Sequence, residues 1–343
     1  MKKILLTGLF AVLIAAGFAQ KPYKVVFYNF ENLFDTIHDP GMLDEEFTPE
    51  GPKKWNTAKY TKKIGNLERV LFDIAAEDKD FPVVIGVSEI ENRSVMEDVI
   101  AQPKLAHGNY RIVHYDSPDA RGVDVAFYYR PDVFKLEGSA AIPFKMPELP
   151  NFKTRDFVTM WGTIDNEPFF FLVSHWPSRL GGQAASASKR MAAAKQVKHI
   201  VDSVTAANPA TKVVIMGDLN DDATDDSIVE GLNAKGKIKE VGKGDMFNPF
   251  ISLLKAGYGT LAYRDEWNLF DNIIVSENLA TGSTGSLKIQ PVGNSKFYGG
   301  IFRRPYMIQK EGQYKGYPLR TFVGNDFQGG FSDHFPVYIY IAK

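Results

Sequence analysis

Residues 332–337 read SDHFPV and lead directly into the apolar run Phe335-Pro336-Val337-Tyr338-Ile339-Tyr340-Ile341. An aspartate at the mouth of a strand is ordinary turn chemistry, because its carboxylate bonds nearby backbone. A histidine beside it is less ordinary. Imidazole changes charge near neutral pH, and an adjacent carboxylate orients the ring or shares a cation with it. The pair Asp333-His334 raises the question of whether other strands deliver acids to the same place.

Several apolar runs do stop at such residues. Val25 to Tyr28 ends at Asn29, Val83 to Val87 at Ser88-Glu89, Phe169 to Val173 at Ser174-His175, and Val213 to Met216 at Gly217-Asp218-Leu219-Asn220. Further runs cover 123–129, 157–164 and 269–275. Most are near-continuous rather than alternating, the pattern of strands buried on both faces. Taken singly, Asn29 is a turn former, Glu89 a helix-start carboxylate and Asp218 a cap. Taken together, residues at the same ends of neighbouring strands line one crevice.

Two amphipathic helices complete the pattern. Tyr60, Ile64, Leu67, Leu71 and Ile74 share one face opposite Lys62, Lys63, Glu68 and Arg69, and Met191, Ala194, Val197, Val201 and Val204 repeat the spacing after Gly181-Gly182. Shorter helices are predicted over 95–101 and 226–232. Strands mixed with helices that cover their outer faces predict an α/β sandwich of two packed mixed β-sheets. No strand leads into a Gly-rich dinucleotide or P-loop fingerprint, so neither nucleotide site is expected.

Bulk properties narrow the function classes. Residues 1–19, with Lys2, Lys3 and an apolar run from Ile4 to Ala16, read as a secretory signal peptide, which predicts an exported, periplasmic or extracellular protein. The run is short of the ~20 residues of a membrane span, so no stable membrane insertion is expected. Cysteine is absent, which excludes disulfides. The formal charge is −1, and loss of Lys2 and Lys3 takes it to −3. No global basic field draws this chain to polyanions, so such binding has to come from local clusters or a metal. No short repeat, low-complexity tract or linker divides residues 20–343, which read as one domain. No protein partner is implied.

In order, YNFENLFD (28–35), GVSEIEN (86–92), SHWPSR (174–179), GDLND (217–221), NLFDNIIV (268–275) and SDHFPV (332–337) span nearly all of that domain. The series resembles the endonuclease/exonuclease/phosphatase superfamily, which includes deoxyribonuclease I, abasic-site endonucleases, neutral sphingomyelinases and inositol polyphosphate phosphatases. G-D-x-N and S-D-H are its most specific pieces. The resemblance implies a four-layer α/β sandwich with the active site at one edge. It also implies roles: Glu89 as principal metal ligand, with Asn29 helping to build the metal shell and Asp333 at the same centre. Asp218 and Asn220 would position water and phosphate, His175 would lie near the scissile phosphate, and Asp271 would support His334.

The chemistry agrees. Hydrolysis of a phosphate ester needs a Lewis acid, donors for the spreading charge and a positioned water. Hard oxygen ligands favour Mg2+ or Mn2+ over zinc. Asp271 bonded to His334 would fix its tautomer and raise its pKa. Two assignments of the base stay open: Asp218 orienting water while His334 holds phosphate, which is preferred, or His334 itself. Glu31 and Glu91 are further carboxylates whose strand phase decides whether they reach the metal. Arg121 meets either a phosphate or a nearby acid.

The interval 277–330 reads as an insertion. Its interleaved basic and aromatic residues, Arg303 and Arg304 among them, suit either stacking of bases and tracking of phosphates or a small satellite core. The expectation is an exported metal-dependent phosphodiesterase acting on DNA or RNA. The alternatives are a phospholipid-headgroup or sugar-phosphate phosphoesterase, or a silent binding protein on the same fold.

Overall fold

The computed structural model describes residues 21–343; the segment read as a signal peptide, 1–19, lies outside the described residues. Alternation along each central strand builds the layers. Val25 and Phe27 point into the core shared with Met216, Val173 and Ile273 of the opposing sheet, whereas Val26 and Tyr28 pack outward against Ile64, Leu67 and Leu71 of the helix Thr57–Asp78. Side chains of successive strand residues leave on opposite faces, so one run of apolar residues feeds two cores. On the other side, Leu172, Val213 and Ile215 meet Ala194, Val197 and Val201 of the helix Gln183–Ala207. The result is helix, sheet, sheet, helix: the predicted four-layer sandwich.

The first sheet runs in the order Lys288–Gln290, Val337–Ala342, Tyr23–Leu33, Val84–Ile90, Asp124–Tyr129, Arg111–His114, with Gly299–Ile301 also pairing with Val337–Ala342. The second runs Lys135–Ile142, Phe157–Ile164, Glu167–His175, Lys212–Asp218, Asp271–Ser276, Met246–Phe247, Ala234–Lys235. Both mix parallel and antiparallel pairs. Gly86 allows the sheets to touch, since a Cβ there would lie 2.3 Å from Met216 Sδ. Part of the interval 277–330 therefore belongs to the first sheet, through its strands 288–290 and 299–301.

The rest of that interval folds over the helix Thr57–Asp78 and corrects one sequence expectation. Lys63 was placed on the polar face, yet it is fully buried, donating to Thr321 Oγ1 at 2.7 Å and to Phe331 O at 2.6 Å, with Glu31 at 3.8 Å. Asn66 Nδ2 adds a bond to Gly330 O at 2.6 Å. The helix has a second contact face because a segment more than 250 positions away covers it. Nearby, Phe322 packs with Phe34, Phe47 and Trp55 in a satellite core. Lys63→Ala should destabilise the fold by roughly 3 kcal/mol, because it strips a buried carboxylate and carbonyl of their cation. Denaturant unfolding measures this, and a loss below about 1 kcal/mol would refute the buried network as a stabilising element.

Candidate active site

The strand ends meet at one edge of the sandwich because register forces them to. His175 pairs with Asp218 in the parallel ladder, and Asp271 pairs with the same Asp218 in the antiparallel one. Gly217 permits that approach, as a Cβ there would lie 2.0 Å from Ser174 O. In the first sheet Asn29 lies opposite Ser88, and a bulge after Ser88 turns Glu89 out of the ladder at φ 57°. Ser332 ties the last motif to the first: its hydroxyl donates to Asn29 O at 2.7 Å and accepts His334 N at 3.1 Å.

Asn29 is the hinge of the cluster. Its Nδ2 donates to Glu89 Oε1 at 3.2 Å and to Asp218 Oδ2 at 3.1 Å, while its Oδ1 accepts Glu31 N at 2.8 Å. Glu89 Oε2 accepts Asn32 N at 3.0 Å. Two imidazoles flank Asp218, with His175 Nε2 at 3.6 Å and His334 Nε2 at 3.7 Å from Oδ2. His334 Nδ1 donates to Asp271 Oδ2 at 2.7 Å, and Thr260 donates its hydroxyl to the same oxygen. Asn220, at φ 51°, donates its backbone N–H to Asp218 Oδ1 at 3.0 Å and its Nδ2 to Trp176 O at 3.0 Å.

The electrostatics separate the two histidines. Burial alone would lower the His334 pKa, but the charges of Asp271 and Asp218 outweigh it and hold the ring well above the usual imidazole range. His175 is pushed well below that range by burial, with the charges of Arg155, Arg121 and His334 adding to it. Burial lifts the Asp218 carboxyl to about 6, against the pull of His334 and with Asp271 and Glu89 adding to the rise. One imidazole is therefore held cationic and one neutral, on either side of a carboxylate.

A cleft of about 220 Å³ opens onto this cluster, lined in part by Glu89, Arg121, His175, Asp218, Asn220 and His334. Ligand atoms of Glu89, His175 and Asp218 lie within 4.8 Å of one another, as do those of Asp218, Asp271 and His334. Carboxylate oxygens beside an imidazole, with no thiolate, suit a hard divalent cation such as Mg2+ or Mn2+, while Asn29 turns its NH2 rather than its oxygen toward the two acids. Glu89 and Asp218 are the acids that would hold it. Asp333 stands outside both groupings, pairing with Arg320 at 2.7 Å, with its Oδ1 3.9 Å from His334 Nε2.

The remaining expectations divide. Arg121 lines the cleft and lies 3.6 Å from Asp119, the acid that the ion-pair role called for. Glu31 accepts Thr321 N at 2.6 Å and lies 3.3 Å from Arg320, and Glu91 accepts Asp35 N at 2.6 Å, so neither joins the group of Glu89, His175 and Asp218. Arg303 and Arg304 do not reach the cleft. Arg304 pairs with Glu77, which also meets Lys24 at 3.3 Å, and Lys24 precedes Asn29 by about 16 Å of strand. Arg303 lies over the rings of Trp267 and Phe335, at 5.3 and 5.4 Å.

Sequence reasoning missed the residues that stiffen the site. Buried Arg155 donates to Asp119 at 2.9 Å, His175 O at 3.2 Å and Trp176 O at 2.7 Å. Arg179 fixes the Asn220 loop through Asn220 O at 2.9 Å and Asp225 at 2.7 Å. Arg190, fully buried, holds Asp221 at 2.6 Å. The one available signal was the position of Arg179 within SHWPSR.

Comparison with known proteins agrees with this geometry. A model of the Endonuclease/Exonuclease/phosphatase family matches residues 24–343. No curated protein matches the chain. Among solved structures, D. rerio TDP2 complexed with a single-strand DNA product is similar at TM-score 0.54 and 12% identity, covering 94% of this chain and 100% of that one. The mannosyl-6-phosphatase of Bacteroides thetaiotaomicron VPI-5482 is similar at TM-score 0.56 and 15% identity, covering 94% and 100%. The human Nocturnin catalytic domain with bound sulfate is similar at TM-score 0.51 and 15% identity, covering 94% of each chain. At these identities the likeness is one of fold.

Proposed function

The chain belongs to the endonuclease/exonuclease/phosphatase family, and from that membership we propose an exported hydrolase of phosphate esters that works with bound Mg2+ or Mn2+. The observation that carries the reading is Asp218 standing between His175 Nε2 and His334 Nε2, with Glu89 joined to it through Asn29. A cation held there supplies Lewis acidity toward the phosphate oxygens. Asp218 orients the attacking water, its carboxylate fixed by Asn29 and Asn220. His334, kept cationic by Asp271, donates from Nε2 to the phosphate. Neutral His175 and the half-exposed Arg121 complete the polar wall around the scissile group. Export rests on the reading of residues 1–19; among the described residues no helix is long and apolar enough to cross a membrane.

Nucleic acid is the substrate class expected from the sequence, and a TDP2 of this fold holds a DNA product. Of the two arginines offered for tracking phosphates, Arg304 pairs with Glu77 away from the cleft and Arg303 lies exposed over Trp267 and Phe335; a compact ester, of the sugar-phosphate kind, needs neither. For DNA or RNA, action at a strand end is then the form that fits. The intact cluster opposes a silent binder.

Metal should be visible without turnover. Mg2+ or Mn2+ at ~100 times its Kd is expected to stabilise the fold by about 2.7 kcal/mol, read as a rise in Tm that EDTA reverses. Hydrolysis of a panel of phosphate monoesters and diesters should depend on the same cation. Undiminished hydrolysis in EDTA, or none of any ester with either metal, would overturn the reading.

A further inference from the structure

A second cavity, of about 520 Å³, lies beside the catalytic cleft. Leu261 lines both, and Asp333, next to His334, lines the larger one. Its walls come from two segments outside the shared motifs: the hairpin Leu261–Tyr263 with Glu266–Asn268, and the stretch from Gln309 to Val323. We infer that this cavity seats the alcohol part of the substrate, and that this part is a sugar ring carrying the scissile phosphate. The inference rests on the hydrolase reading and specifies its substrate class.

The chemistry of the walls selects the ligand. Tyr263 and Tyr314 offer aromatic faces, while Gln309, Gln313 and Arg264 offer amide and guanidinium groups. An acyl chain would leave those polar groups unmatched. A sugar ring meets both kinds, with its C–H face on an aromatic ring and its hydroxyls on amides and guanidinium. Among the described residues, the Gln313 amide and the hydroxyls of Tyr263 and Tyr314 are not committed to bonds within the chain. The volume falls in the range of small-molecule sites, roughly 300–1,000 Å³, and suits one or two rings rather than an extended polymer.

The cavity is also built to hold its shape. Arg264 and Asp265 take φ 50° and 65°, the tight two-residue turn that matches strand twist in a hairpin. The Tyr317 hydroxyl donates to Asp265 Oδ1 at 2.7 Å and accepts Asp265 N at 2.6 Å, clamping that turn to the opposite wall. Arg303, over Trp267 and Phe335, braces the base of the hairpin against the strand that follows His334.

The test compares parent, Tyr314→Ala and Gln313→Ala, with Mg2+, on a hexose phosphate, a nucleoside monophosphate, ringless glycerol phosphate and closed circular DNA. The parent is expected to favour the ring-bearing esters in kcat/KM, and Tyr314→Ala to shrink that preference by about tenfold, chiefly through KM. Preference for hexose over nucleotide, or the reverse, identifies the source of the ring, and either supports the inference. An unchanged preference in both variants, or circular DNA cleaved with a higher kcat/KM than any ring-bearing monoester, would overturn it. Calorimetric titration of the hexose phosphate and the nucleotide into Glu89→Gln, with and without Tyr314→Ala, reads the cavity without turnover. About tenfold weaker binding of either ester supports the inference, and equal affinities for both reject it. A parent inert toward every ester defeats the hydrolase reading, and the titration still decides the cavity.

Discussion

Glu89→Gln is expected to lower kcat/KM at trace metal by more than the ~10–100-fold typical of losing an outer-shell partner of a metal, because it removes charge from the residue proposed to hold the cation directly. The fold should barely respond. Glu89 accepts from Asn29 Nδ2 and from Asn32 N, and a glutamine amide can serve only one of these two donors. Losing one such bond costs about 1 kcal/mol. Removing a negative charge that faces Asp218 across Asn29 offsets part of that cost when no cation is bound. The expected signature is an apo Tm close to that of the parent together with loss of the metal-induced rise. Activity regained at high Mg2+ would locate the defect in metal affinity. Undiminished activity and an undiminished metal-induced shift at trace metal would remove Glu89 from the metal site.

The sandwich and the meeting of the strand ends were legible because both depend on local signals. A buried strand is a short apolar run, and the residue at its end is fixed by where the run stops, as at Asn29, His175 and Asp218. Lys135–Ile142, an edge strand of mostly half-exposed residues, carried no such signal and went unread. Lys63 was misread for a different reason. Helical periodicity reports the face turned to the sheet, and cannot report a second face covered by residues 321–331. The same limit applies to arginine. Arg155, Arg190 and Arg304 look alike in sequence, yet two are locked into the site's walls and one pairs with Glu77 at the other end of the central strand. Long cationic side chains reach partners that spacing along the chain does not encode.

Asp271→Asn tests whether the charge behind His334 matters or only its geometry. The substitution can keep the geometry: an amide oxygen in the place of Oδ2 still accepts from Thr260 and from His334 Nδ1, and the NH2 falls where Oδ1 has no partner. The negative charge that holds the imidazolium does not survive. In the opposite orientation the NH2 faces Nδ1, which must then accept, so the ring is held neutral with its one proton on Nε2: that nitrogen still donates to the phosphate, but the positive charge is gone. Either way the charge that keeps the ring cationic is lost, and kcat should fall by about 10²–10⁴, the upper figure being the loss when the carboxylate behind a catalytic histidine is replaced by its amide. The pH profile gives the sign. Burial lowers the His334 pKa and Asp271 is the first of the charges that raise it, so the amide moves it down. If the protonated ring is the active form, the alkaline limb of kcat shifts to lower pH, whereas a purely structural defect scales the whole profile. Asp271→Glu, which restores the charge on a longer arm, should recover part of the rate and of the limb. A parent-like rate and profile in Asp271→Asn would show that His334 works without its carboxylate.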